Sequence, residues 1–69
     1  MIVIFTIETE QEVDDRWLAE VLELPGVVAY GSTSDEAVAR AQALALRVVA
    51  DRLEHNEADG FITISFNAA

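Results

Sequence analysis

The chain has 69 residues, a formal net charge of −9, no cysteine and a hydrophobic share of 52%. That share is too high for a disordered segment, and the length predicts one domain with a small core. Small domains gain stability from disulfides, metals or association, and the missing thiols exclude the first. The acidic surface should repel nucleic-acid phosphates and attract basic partners. We therefore expect a single domain that self-associates as a homodimer or higher homo-oligomer and does not bind nucleic acid directly.

The N-terminal segment shows no export or membrane signal. Its apolar run from Ile2 to Ile7 lacks a basic start, is interrupted by Thr6 and is closed by Glu8. This run is too short for a signal peptide or a membrane span. We therefore expect a soluble, cytoplasmic protein without membrane contact.

Three strands are predicted before the only helix, because their residues are rich in β-branched and aromatic side chains. They cover residues 2–9, 16–22 and 27–30. The first two are joined by the charged segment 10–15. The second is followed by a turn at Pro25 and Gly26, since Pro fixes φ and Gly tolerates positive φ.

A capping box marks the start of the helix. Thr33 is the predicted N-cap, and Glu36 is expected to reach back to the Thr33 amide. The helix should continue to about His55, because no Gly or Pro interrupts it, and should end within residues 56–60. Residues 61–66 are predicted to form the last strand.

The predicted fold class is α+β, with the order β-β-β-α-β. The most apolar strands are the first and the last, which suits parallel neighbours in the sheet. A right-handed crossover through the helix places the last strand beside the first. The expected fold is a four-stranded mixed sheet of order 3-2-1-4, with one helix packed on one face.

Apolar residues on the helix and the last strand exceed what one small sheet needs. The helix stripe expected to face the sheet contains Ala37, Ala41, Leu44, Ala45 and Val48. The stripe is widened by Leu46, Val49 and Leu53, and the last strand is an uncharged edge that carries Ile62 and Ile64. These five additional residues are candidates for self-association, although an ordinary core would use them as well.

Four short segments resemble a known family in their order and spacing. They are Arg16–Val21, Glu23–Val27, Tyr30–Thr33 and Glu36–Ala37. Together they resemble the HicB-type antitoxin domain, whose fold is a truncated ribonuclease-H-like β-β-β-α-β unit. The resemblance covers about residues 3–66. It implies that the chain binds a small basic HicA-type toxin, an mRNA-cleaving ribonuclease, and neutralises it by covering its RNA-binding face.

The chain departs from family members that repress their own operon. Those members carry a further C-terminal DNA-binding segment, whereas this chain stops at Ala69, just after the last predicted strand. We therefore expect residues 1–69 to form a single HicB-like domain without a separate DNA-binding domain.

Five residues in and after the second and third strands are candidates for partner binding. They are Trp17, Leu18, Glu20, Glu23 and Tyr30. Trp and Tyr are enriched at binding hot spots, although core or edge packing would also explain them. Trp17 should face away from Leu18 and Glu20, because side chains alternate along a strand.

No catalytic arrangement is visible in the sequence. Ribonuclease-H chemistry needs a carboxylate in the middle of the first strand, where residues 3–6 have none. The acidic run within residues 8–15 suits a solvated loop or a docking patch better than a metal site. His55 suits a role at the helix C-terminus. We therefore expect no enzyme activity, metal or cofactor.

The sequence leaves one alternative to an antitoxin. The chain would then be a self-associating domain with a structural or small-ligand-binding role and no toxin partner.

Overall fold

The computed structural model describes residues 2–57, 59–60 and 63–69. Its elements are β1 (Ile2–Gln11), β2 (Trp17–Val21), β3 (Val28–Gly31), α1 (Ser34–Glu54) and β4 (Thr63–Ala68). The predicted α+β class and element order are confirmed. The predicted start of the last strand, at Phe61 and Ile62, lies outside the described residues.

The four strands form one mixed sheet in the order β3-β2-β1-β4. β1 is antiparallel to β2 and parallel to β4, and β2 is antiparallel to β3. This is the predicted topology, and it leaves β3 and β4 as the outer strands of the described sheet.

α1 covers one face of the sheet. The strand residues buried on this face are Phe5, Ile7, Ala19, Val21 and Ala29. On α1, the buried residues are Ala37, Ala41, Ala45 and Val49, which recur every four residues and so form one stripe. Because most of these side chains are small, the helix lies close to β2 and β3.

The rotation of α1 corrects one assignment made from the sequence. Val49 was expected on the self-association surface, but only 5% of its area is exposed. Val48, which was expected in the core, is only partly buried at its margin. The buried stripe begins at Ala37 and includes every fourth residue up to Val49. Val49 therefore belongs to the core of the single chain.

Both ends of α1 are capped by local hydrogen bonds. The Thr33 hydroxyl accepts from the Glu36 amide at 3.1 Å, as predicted. The Glu36 carboxylate accepts from the amide of Ser32 at 3.1 Å, one residue before the amide that the sequence predicted. Thr33 is extended, with φ of −130°, so the chain turns into the helix immediately after it.

At the C-terminus, Asn56 adopts a left-handed conformation with φ of 56°. The Asn56 amide donates to the Leu53 carbonyl at 3.3 Å, and the Glu57 amide donates to the Arg52 carbonyl at 2.8 Å. This pair of bonds is a Schellman motif, and it explains why the helix stops here.

Candidate protein-binding surface

The sheet face opposite α1 is not covered by any other element in the described part of the chain. Side chains alternate along each strand, so this open face carries the residues between those of the core. Its acidic half contains Glu8, Glu10, Leu18, Glu20, Val28 and Tyr30. Its uncharged half contains Ile2, Ile4, Thr6, Thr63, Ser65 and Asn67.

The acidic half is organised in two rows across the strands. Leu18 lies between Tyr30 and Glu10 in the first row. In the second row, Glu20 lies directly opposite Glu8. Like charges at directly opposed positions destabilise a sheet, and a cation placed over them would relieve the repulsion. The rows therefore combine apolar contact area with carboxylates that favour a basic partner.

Tyr30 is 43% exposed and already contacts a cation. The Arg16 guanidinium carbon lies 4.7 Å from the centre of the Tyr30 ring. Arg16 is held by Asp14, whose carboxylate accepts from the Arg16 amide at 3.2 Å and from Nε at 2.7 Å. The hydrogen bond from the Arg16 amide is the largest cause of a pKa of Asp14 below its usual range, and the Arg16 side chain lowers this pKa further. The ring is therefore partly exposed, and its contact with Arg16 shows that it can bind a positive side chain.

Glu23 lies in the turn after β2 and is not part of these rows. Its carboxylate accepts a hydrogen bond from the Thr6 amide at 2.6 Å. This main-chain hydrogen bond is the largest cause of the lowered pKa of Glu23. Glu23 thus joins the turn to β1, and its role in partner binding stays a prediction.

Trp17 also stands apart from the other candidates. It lies on the helix side of β2 and packs against the core, whereas Leu18 and Glu20 lie on the open face. The predicted opposite orientation is confirmed. The structure thus brings together Leu18, Glu20 and Tyr30 on the open face and places Trp17 on the helix side of β2.

Two residues of this surface, Glu8 and Glu10, were not among the five partner-binding candidates and were predicted only as part of an acidic run that suits a solvated loop or a docking patch. β1 was expected to end at about residue 9, with Glu10 in the following connection, but it continues to Gln11. Both carboxylates therefore stand on the open face, opposite Glu20 and Leu18. The signal was present in the sequence, because Glu8 and Glu10 continue the every-second-residue series of Ile2, Ile4 and Thr6.

The self-association candidates other than Val49 lie on the helix side of the molecule or outside the described residues. Leu46 and Leu53 are 47% and 37% exposed on α1. Ile64 is half-buried on β4 and packs against the core. Ile62 lies outside the described residues.

A groove runs between α1 and the outer half of the sheet. It contains a cavity of about 300 Å³ whose lining includes Val38 and Gln42 from α1 and Phe66 from β4. Leu46 follows one turn after Gln42 on the same flank of the helix. The exposed helix residues and the β4 edge therefore lie on the same side of the molecule.

In the described ranges, no group of three or more His, Asp or Glu side chains could hold a metal ion. His55 caps the helix end, where its Nδ1 donates to the Asp51 carbonyl at 2.8 Å. Within the same ranges, no helix has the length and apolarity needed to cross a membrane.

No protein-family model, no curated protein and no solved structure matches the chain. The resemblance to the HicB-type domain rests on the four sequence segments alone, and the family stays a prediction.

Proposed function

We propose that the chain is a non-catalytic, antitoxin-like binding module that neutralises a small basic, mRNA-cleaving toxin of the HicA type. The observation that supports this proposal is the acidic half of the open face. There Leu18 and Tyr30 offer apolar contact area beside the carboxylates of Glu8, Glu10 and Glu20. The HicB-like sequence segments support the same partner class.

The proposed inhibition follows from the charge that RNA binding requires. A ribonuclease that grips the RNA backbone must carry a positive face, because affinity for phosphates comes from Lys and Arg. A domain with a net charge of −9 is attracted to that face over long distances. Once docked, the acidic half excludes RNA by occupying the same surface.

Affinity and association rate should depend on different residues of this surface. Hot spots are enriched in Tyr and lie near the centre of an interface, so Tyr30 fits that description, and Leu18 lies directly beside it as apolar contact area. Carboxylates at the rim mainly steer the encounter. We assign the anchoring contacts to Leu18 and Tyr30, and the steering to Glu8, Glu10 and Glu20. A toxin that cleaves mRNA acts in the cytoplasm, so we place the protein there.

The product of the gene adjacent to the coding sequence tests this function. We expect it to be a small basic protein that binds the chain at micromolar concentration in low salt. Its expression should arrest growth, and co-expression of the chain should restore growth. A neighbouring product that is not basic, or one that fails to bind under these conditions, would refute the antitoxin function.

A second function is favoured by the apolar helix flank and the uncharged β4 edge. In this second function, the chain is a self-associating domain with a structural or small-ligand-binding role and no toxin partner. The groove beside Phe66 would be its ligand site. The two functions share the homodimer that we propose for this chain, and they differ in the partner. Purification from the native host separates them, because only the first yields a stoichiometric basic protein.

A further inference from the structure

We propose that a second copy of the chain binds along the outer edge of β4, so that two sheets join through antiparallel β4–β4 pairing about a two-fold axis. The proposal deepens the self-association described above and rests on it. It assigns the contact to one edge, and it leaves the acidic half of each open face free.

The main-chain groups of β4 make this edge available for pairing. The Ala69 amide donates to the Ile7 carbonyl of β1 at 2.9 Å. Because main-chain groups alternate in direction along a strand, every second residue before Ala69 also directs its amide and carbonyl toward β1. The intervening residues Ile64, Phe66 and Ala68 therefore direct their amides and carbonyls outward. An edge with unpaired amides and carbonyls is a template for another strand unless charge, proline or a bulge protects it. None of the six residues of β4 is charged or is proline.

The opposite edge of the sheet is protected. β3 has four residues, and its outward-facing Tyr30 carbonyl accepts a hydrogen bond from Arg40 Nη1 at 2.9 Å. Arg40 also bonds Glu36 at 3.1 Å, which holds the guanidinium in place along the edge. A β4 edge cannot readily pair with β3 of another copy, so head-to-tail fibres are disfavoured. Pairing of β4 with itself forms a closed two-fold dimer.

The distribution of charge favours a second copy as the occupant. Two chains that each carry a charge of −9 repel one another at a distance, so a contact between uncharged surfaces costs the least repulsion. β4 and the adjoining residues Ile2–Ile7 of β1 are uncharged on both faces. In the paired sheet the uncharged halves meet at the axis, and Glu8, Glu10 and Glu20 lie toward the outside.

The two-fold axis is perpendicular to the joined sheet, so both helices lie on one face and both acidic halves on the other. Side chains of Ile64 and Phe66 meet their counterparts across the axis on the helix face. The dimer therefore offers two partner sites that point in the same direction. With a basic partner it should form a complex of two copies of each chain.

Sedimentation from low micromolar to near-millimolar concentration tests the proposal. We expect a monomer–dimer equilibrium for the wild-type chain and at least a tenfold weaker dimer for Ala68→Glu, which adds a charge at the exposed edge. The matched control is Ala43→Glu, which adds the same charge on the exposed side of α1 and should leave the dimer unchanged. A wild-type chain that stays monomeric, or equal behaviour of the two variants, overturns the proposal.

Spin labels provide a measurement that does not depend on disrupting the edge. Since the chain has no native cysteine, single Asn67→Cys and Ser32→Cys variants can be labelled cleanly. Strand spacing predicts that Asn67 labels of two copies lie within about 15 Å, and that labels beside β3 lie roughly 34 Å apart. A long distance at Asn67 in a dimeric sample would overturn the assignment to β4.

The binding of a basic partner is measured separately on the Ala68→Glu variant. If that variant binds the partner while the wild-type chain never dimerises, only the edge proposal fails. If the wild-type chain dimerises through β4 and no basic partner binds, the antitoxin function fails and the edge proposal stands.

Discussion

The carboxylate of Glu23 bonds the main-chain amide of Thr6 at 2.6 Å. The neighbouring bond, from the Leu22 amide to the Thr6 carbonyl, is 2.9 Å long. Thr6 is thus held through its carbonyl by the main chain and through its amide by a side chain. Glu23 takes the place of a ladder carbonyl and fixes the turn after β2 against β1.

Replacing Glu23 should therefore lower stability even though the residue is exposed. We expect Glu23→Ala to unfold at a lower temperature than the wild-type chain, because the Thr6 amide loses its acceptor. Glu23→Gln is the matched control, since its amide oxygen still accepts the hydrogen bond, and it should retain most of the stability. Thermal unfolding followed by circular dichroism at neutral pH measures both. Equal melting temperatures for all three proteins would contradict this role.

The same contact predicts a dependence on pH. The Thr6 amide lowers the pKa of Glu23, so the folded carboxyl binds a proton less readily than the unfolded one. The resulting stability is present at neutral pH and is lost as the pH falls below the usual carboxyl range and through the folded-state pKa. We expect the stability difference between the wild-type chain and Glu23→Gln to shrink on acidification. A difference that stays constant with pH would be inconsistent with the contact.

Gly31 is expected to tolerate no side chain. A Cβ at this position would lie 2.6 Å from the Ala37 amide nitrogen and 3.0 Å from the Glu36 carbonyl carbon. Because the clash is with helix main chain, Gly31→Ala should cost about 1–3 kcal/mol. A Cβ at Gly60 meets nothing within 4 Å, so Gly60→Ala should be neutral or stabilise by about 0.4–1 kcal/mol through the unfolded state. Chemical denaturation compares the two, and a stable Gly31→Ala variant would show that the helix can move away.

Charge reversal on the open face should slow the binding of a basic partner. Glu8→Lys and Glu20→Lys each remove one of two opposed like charges, so the fold should not suffer. We expect slower association and a weaker dependence on salt, with little change in dissociation. Glu54→Lys changes the net charge equally at the end of α1 and serves as the control. If Glu54→Lys slows association as much, steering comes from net charge alone.

Loss of an anchor should have the opposite kinetic signature. Tyr30→Ala is expected to speed dissociation of the partner and to leave association nearly unchanged, because it removes buried contact area and no charge. Surface-binding kinetics with the product of the adjacent gene measure both rates. An unchanged dissociation rate would remove Tyr30 from the proposed interface.

The chain is expected to be catalytically inert. The middle of β1, residues 3–6, offers no carboxylate for a nuclease metal platform. Incubation with RNA, DNA or an RNA–DNA hybrid, with magnesium or manganese, should yield no cleavage. Cleavage that follows the protein peak through purification would contradict this prediction.

Features that depend on near neighbours in the chain were predicted well. The capping hydroxyl of Thr33, the end of the helix at about His55 and the strand order all follow from local propensity, turn chemistry and the handedness of the crossover. The amide that donates to the Glu36 carboxylate is that of Ser32 and not the predicted Thr33, because the cap amides lie close together. The orientation of Trp17 relative to Leu18 followed from the alternation of a strand.

The sequence by itself determined the fold class, the order of the elements, the uncharged last strand and the acidic balance, because these follow from composition and from short-range periodicity. The tertiary structure alone decided which residues share a surface. The rotation of α1 buries Val49, the register of β1 against β2 places Glu8 opposite Glu20, and the turn after β2 brings Glu23 to Thr6. These relationships join residues far apart in the chain. A shift of one residue in strand register, or a rotation of the helix by a fraction of a turn, would change them. Only the packing of the whole domain fixes the strand register and the rotation of the helix.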